Sequence, residues 1–251
     1  MPYLLRALGL LVVLAIASAN AAERLRLVAD PWPPFTDALL QNGGLATDIV
    51  STALKRAGYM VEYQQVPWAR ALLALSEGRQ DVLVNAWFSE DRNLIGQFSQ
   101  PYLVNRIRLL KRKDSPIAPQ THQQLHAYMI AIVRGYAYSP EFDNDSLLQK
   151  IPVQSFSMAI RMLAAERVDL AIEDEYVARY NLSLEAAQVR DRVEFLPGSV
   201  SENGLHILVS LKHPKHAEIV ADFDREIAAM KADGSYDELF RRHGLGPPAA
   251  L

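Results

Sequence analysis

The chain has 251 residues, half of them apolar and 22% charged, the balance of a globular protein with a substantial core, which excludes a disordered one. A formal net charge of -3, with no long Lys/Arg run, excludes the basic footprint of a nucleic-acid binder. There is no cysteine, so neither a disulfide nor a lipid on an N-terminal cysteine is expected.

Arg6 precedes an apolar run over 8–17, and Ala19-Asn20-Ala21 has the small-x-small pattern of a secretory cleavage site. Residues 1–21 are therefore read as a cleavable signal peptide, too short in its apolar part for the ~20 residues a bilayer span needs. The mature protein is expected in the periplasm from Ala22 onward, as a soluble protein and not a lipoprotein.

Residues 25–29 alternate with Arg24 and Arg26 as a first strand does, and end in Asp30-Pro31-Trp32-Pro33-Pro34-Phe35. Three prolines forbid helix and stiffen the loop, so Trp32 and Phe35 have little entropy to lose on meeting a ligand. The alternative for each ring is a plug in the core. Apolar residues at helical spacing predict a helix over 47–57, capped by Thr47 or Asp48 and closed by Gly58. A strand over 61–66, a helix over 68–77 opened by Pro67 and a buried strand over 82–86 follow. That series is the order of a parallel, doubly wound α/β sheet.

The loop after the third strand places Arg92 just past its C-terminal end. Ligands bind at that end of open α/β sheets, and a guanidinium there can hold a carboxylate through two parallel hydrogen bonds. The plain alternative is a surface ion pair with Glu90 or Asp91. Trp68, at the start of its helix, is either a ligand contact or a core residue.

The polar run Lys111-Arg112-Lys113-Asp114-Ser115-Pro116 is where the chain is expected to cross into a second lobe. That lobe reads as a fainter copy of the first, with a strand over 128–133, a helix over 157–166 and a strand over 168–172. RALLALSEGRQDVLVN from Arg70 and IRMLAAERVDLAIED from Ile160 each give a helix, an Arg two residues before an Asp, and a buried strand with polar residues at its end. The echo puts Glu173-Asp174 where Asn85 and the Arg92 loop stand in the first lobe. Asp174 is read as a ligand group or as the N-cap of a helix through Val177, and the two roles are compatible. A loop over 198–204 is expected to carry a second crossing before a strand over 205–211. A helix over 214–231 and a short one over 236–242 complete the reading. The lobes are thus placed at 22–107 with 205–251, and at 108–204, with a cleft between them of the kind that favours small-molecule sites.

No G-x-S-x-G, H-E-x-x-H, P-loop or cysteine nucleophile is present. Among the histidines only His213 and His216 of HPKH are read as having a chelating spacing, and their Pro-containing turn argues against a metal. No catalytic residue, metal or cofactor is expected.

Six segments, in order, carry a resemblance: DPWPPFT at Asp30, GGLATDIVSTALKRAGY at Gly43, PWARALLALSEGRQDVLV at Pro67, SEDRNLIGQFSQPY at Ser89, VDLAIEDEYVA at Val168, and DFDREIAAMKADGSYDELFRRHGLG at Asp222. Together they resemble the solute-binding proteins of family 3, the periplasmic receptors of polar amino-acid ABC transporters, over nearly the whole chain after residue 21. The resemblance implies the type II periplasmic-binding-protein fold, with two hinged α/β lobes, each a mostly parallel sheet flanked by helices. It implies that Arg92 binds a ligand carboxylate, Asp174 the ammonium, and Trp32 and Trp68 the ligand side chain, with Asn85 near the ammonium. Two departures stand out: Tyr136-Ala137 where the family commonly has Thr or Ser, and Trp87 where Ser or Thr is common. With bulk added and hydroxyls lost, the pocket is expected to take a smaller, flatter or more aromatic molecule than a standard amino acid. The implied partner is an ABC permease of the inner membrane, and the protein is expected to be a monomer. Some members of this fold resemble cyclohexadienyl dehydratases, for which Glu173 or Asp174 would be the general acid here, and a ligand sensor for a chemoreceptor or sensor kinase is a further alternative.

Overall fold

The computed structural model describes residues 22–134, 136 and 138–246. The signal-peptide reading of residues 1–21 lies outside the described residues, as do Gly135 and Ala137. No helix among the described residues is long and apolar enough to cross a membrane.

The first half is built from β1 (Arg24–Ala29), α1 (Leu45–Arg56), β2 (Met60–Gln65), α2 (Trp68–Ser76) and β3 (Val82–Trp87). Central β1 runs parallel to both β2 and β3, and its apolar residues are buried on both faces, as a covered parallel strand requires. Leu25 and Leu27 pack with Ile49, Val50 and Leu54 of α1, while Val28 and Leu83 pack with Ala71 and Leu75 of α2.

Helix α1 starts earlier than its polar residues suggest. Its N-cap is Gly44, at φ 94°, and neither Thr47 nor Asp48 caps it. The carbonyls of Pro34 and Phe35 accept from the N–H groups of Leu45 and Ala46, so the proline loop itself satisfies the helix's first donors. The approach is so close that a Cβ on Gly44 would lie 2.6 Å from the Phe35 carbonyl oxygen.

The chain continues through β4 (Gly96–Phe98) and β5 (Leu103–Arg112) into the second half. There it forms β6 (Met129–Val133), α3 (Pro140–Asn144), β7 (Gln149–Val153), α4 (Phe156–Ala164), β8 (Leu170–Asp174), α5 (Glu175–Leu184), α6 (Ala187–Arg190) and β9 (Val193–Phe195). Strand β6 lies parallel to β7 and β8. It returns through β10 (Ser201–Ser210) to α7 (His216–Asp233) and α8 (Ser235–Arg242), and α7 lays Ile219, Phe223, Ile227 and Met230 on the first half's core.

The echo between the halves is structural. Asp81 and Asp169, each just before its strand, accept from the backbone N–H of the first or a nearby residue of the neighbouring parallel strand: Arg26 at 2.8 Å for Asp81, Met129 at 2.8 Å for Asp169. In return the Asp81 and Asp169 N–H groups donate to the Arg26 and Met129 carbonyls. Three residues before each aspartate the backbone turns left-handed, at Gly78 (φ 72°) and at Glu166 (φ 61°).

The sheet runs β2-β1-β3-β10-β5-β8-β6-β7, with β4 on β10 and β9 on β5. Two stretches expected in loops are partly strand. Residues 111–112 still belong to β5 and pair with β9, and 201–204 belong to β10 and pair with β5. Antiparallel pairing gives this backbone the hydrogen bonds that a loop would leave to water. Ile107 of β5 faces both Ser201 and Asp174, and Leu205 of β10 faces both Leu103 and Trp87, so each strand changes partner there.

Candidate ligand-binding site

The parallel strands of the two halves send their C-terminal ends toward one cleft of ≈ 290 Å³. From β1 and β3 come Asp30, Trp32, Asn85, Trp87 and Arg92, joined by Trp68 at the start of α2. From β6 and β8 come Tyr136, Tyr138 and Glu173.

Arg92 sits in a 3-10 turn over Glu90–Leu94, and neither Glu90 nor Asp91 pairs with it. Its guanidinium lies over the Trp68 ring, 5.0 Å from the centroid, and Nη1 donates to the Trp87 carbonyl. Burial alone moves its pKa, downward, and among the described residues no carboxylate forms an ion pair with it. A half-buried cation stacked on an indole has the hydrogen-bonding capacity to pair an anion.

Trp32 packs edge-on against Trp87 at 5.7 Å and tilted against Phe35 at 4.5 Å. Phe35 is fully buried, so it fills the core and leaves the cleft to Trp32. The Trp87 indole N–H donates to Asn105 Oδ1 at 2.9 Å. Tyr136 is 46% exposed, with its ring 6.4 Å from that of Tyr138. Burial pushes the Tyr136 phenol up to about 12, and it remains neutral.

Acceptors gather at the other side of the cleft. Asn85 donates to Asp30 Oδ1 at 2.8 Å, and its own buried Oδ1 has no partner among the described residues. Glu173 is 2% exposed, and its Oε1 accepts from the Asp174 N–H at 2.9 Å while Oε2 has no partner among the described residues. Burial first, and the Asp174 charge second, push the Glu173 carboxyl up to about 8, so it carries a proton at neutral pH.

Asp174 is a correction. It ends β8 but does not line the cleft. Its Oδ1 accepts from the N–H groups of Tyr176 and Val177 as the N-cap of α5, and its Oδ2 accepts from Asn105 Nδ2 at 3.0 Å. With these donors and 1% exposure, its oxygens are spent on the fold. The side chain that enters the cleft is its neighbour Glu173, because successive residues of a strand face opposite ways. Six of the seven predicted positions, Arg92, Trp32, Trp68, Asn85, Trp87 and Tyr136, come together around the cleft. Asp30 and Tyr138 were missed. Asp30 follows the last residue of β1, so the strand-end rule that singled out Arg92 would also have found it.

The solved structures with this fold include a histidine kinase sensor domain with similarity to periplasmic binding proteins, at a TM-score of 0.68 and 20% identity, covering 91% of this chain and 100% of that one. Another is an ancestral amino-acid-binding protein, a precursor of cyclohexadienyl dehydratase, at a TM-score of 0.64 and 21% identity, covering 87% of this chain and 94% of the other. These likenesses define the fold as that of periplasmic binding proteins. Residues 25–246 match the model of bacterial extracellular solute-binding proteins, family 3, and the chain belongs to that family. A lysine/arginine/ornithine-binding periplasmic protein of Escherichia coli (strain K12) is 23% identical, over 94% of this chain and 95% of its own.

Proposed function

We propose that the protein is the periplasmic solute-binding component of an ABC transporter and holds a small amino-acid-like ligand, zwitterionic or carboxylate, in the cleft. The observation that carries this reading is the guanidinium of Arg92, without a carboxylate partner among the described residues and set among indole rings in the same cleft as Asp30, Asn85 and Glu173. Arg92 takes the carboxylate. Asp30, the free Asn85 oxygen and Glu173 take the ammonium, and Trp32, Trp68, Trp87 and Tyr136 enclose the rest. No chemistry is done on the ligand.

The two lobes are 22–107 with 205–251, and 108–204, with β5 and β10 as the hinge. The partner switches at Ile107 and Leu205 support these boundaries. A ligand that touches both lobes at once stabilises the closed form over the open one, and an inner-membrane permease reads the closed, monomeric form.

Titration calorimetry with amino acids and small carboxylates tests the reading. A ligand is expected to bind at micromolar strength or tighter, on the order of -8 kcal/mol. Arg92→Ala is expected to weaken that ligand by roughly 2 kcal/mol or more, about thirtyfold. Equal affinity in the variant would remove Arg92 from the site.

One observation favours a second reading. Glu173 is a protonated acid with an unpartnered oxygen in the cleft, as elimination by a cyclohexadienyl dehydratase-like enzyme requires. Turnover of prephenate or arogenate, lost in Glu173→Gln, would select it over transport. A sensing role for a receptor or kinase uses the same closure, and capture of a sensor in place of a permease distinguishes it.

A further inference from the structure

His122 and His126 lie on a 3-10 turn over His122–Ala127, between the end of β5 and the start of β6. Asp145 caps the C-terminal end of α3 on the far side of β6. Both imidazoles turn their Nε2 atoms to one oxygen: Asp145 Oδ2 lies 2.8 Å from His122 and 2.7 Å from His126. The other carboxylate oxygen, Oδ1, accepts from the Leu147 N–H at 2.8 Å and so fixes the carboxylate plane. The HPKH pair, by contrast, is dispersed. His213 faces Glu23, and His216 Nδ1 meets Gln97.

We propose that His122, His126 and Asp145 form a site for a first-row divalent ion of the zinc class, bound by the two Nε2 atoms and Asp145 Oδ2, with water completing the shell. The three donor atoms all lie within 4.8 Å of one another. Ligands 2.0–2.1 Å from a tetrahedral ion stand about 3.3 Å apart, so each imidazole retreats from the oxygen by about half an ångström while the donors, now within 4.8 Å of one another, settle to that spacing. Two nitrogens in three ligands favour zinc, nickel or copper over calcium or magnesium, which take oxygen.

The surroundings suit the role. Leu125 and Phe142 are buried beside the ligands, so the turn and α3 are both anchored in the core of the second half. His126 is further held by its carbonyl, which accepts from Gln149 Nε2 at 2.9 Å. Metal on Nε2 places the His122 proton on Nδ1, which lies 3.9 Å from Glu141 Oε1, beyond direct hydrogen bonding. The ion would tie the segments on either side of β6, the strand whose end carries Tyr136 and Tyr138 into the cleft.

The test uses tag-free protein stripped by a chelator. Zn²⁺ calorimetry is expected to give one equivalent per chain and a raised thermal midpoint, and Co²⁺ the visible absorption of nitrogen-and-oxygen ligation. His126→Ala and Asp145→Asn are each expected to weaken zinc by more than about tenfold, and His213→Ala to change nothing. Asp145→Asn keeps an oxygen for the Leu147 N–H and serves if His126→Ala does not fold. The inference is overturned if the wild-type chain binds no stoichiometric zinc, if both ligand variants bind it as well as wild type, or if the ion follows His213.

Discussion

Arg92 and Glu173 divide the electrostatic work of the cleft. The guanidinium stays charged under any condition and is held by an aromatic face and a carbonyl, whereas the carboxyl is held neutral by burial. This gives the ligand-free protein a distinctive pH dependence. Glu173 is raised from its ordinary 4.5 to about 8, so between those values the folded chain keeps a proton that the unfolded chain has lost. Stability therefore falls as pH rises through that window. Asp174, raised by burial to about 7, acts with the same sign, although its backbone and Asn105 donors oppose the shift. Thermal melts from pH 4.5 to 8 are expected to show the decline, and Glu173→Gln to flatten it. A ligand ammonium beside Glu173 favours the carboxylate, so binding at pH 7 is expected to release a proton. Calorimetry in buffers of different ionisation enthalpy reads that release, which Glu173→Gln should abolish.

Several elements depend on single residues at their ends. Asp174 caps α5 and, through Asn105, reaches the indole of Trp87, so it acts on the cleft at one remove. Asp174→Ala is expected to cost about 1 to 2 kcal/mol of stability from the lost cap, read as a lower midpoint in denaturant, while Asp174→Asn recovers most of it. The left-handed backbone at Glu166 closes α4 where Gly78 closes α2 in the first half. Glu166→Gly is expected to stabilise the protein by about 1 kcal/mol, because glycine reaches that conformation without Cβ strain. An unchanged or lower midpoint would show that the Glu166 contact with Arg192 outweighs the strain.

At the scale of the molecule, each half carries its own core on both faces of its sheet, and among the described residues only β5 and β10 run as continuous strands between them. Small-angle scattering is expected to show a smaller radius of gyration with ligand, and no such change in Arg92→Ala at the same ligand concentration. The family's match over 25–246 was legible as the resemblance of six segments in order, and the order of the elements in local patterns, because glycine stops, proline starts and buried strands are written in adjacent residues. The crossings were less legible. A strand such as 201–204 has little apolar signal of its own and forms because β5 offers it a ladder.

The sequence by itself determined the α/β class, the repeated helix-strand unit with its Arg-x-Asp signature, and the placing of Arg92, Trp32, Asn85 and Trp87 near strand ends. Each of these follows from neighbours along the chain. Only the tertiary structure decided which of two adjacent carboxylates, Glu173 or Asp174, faces the cleft, and that His122, His126 and Asp145 converge. The facing of a strand residue and the meeting of segments on either side of a strand are set by packing and register between elements, which no local pattern encodes.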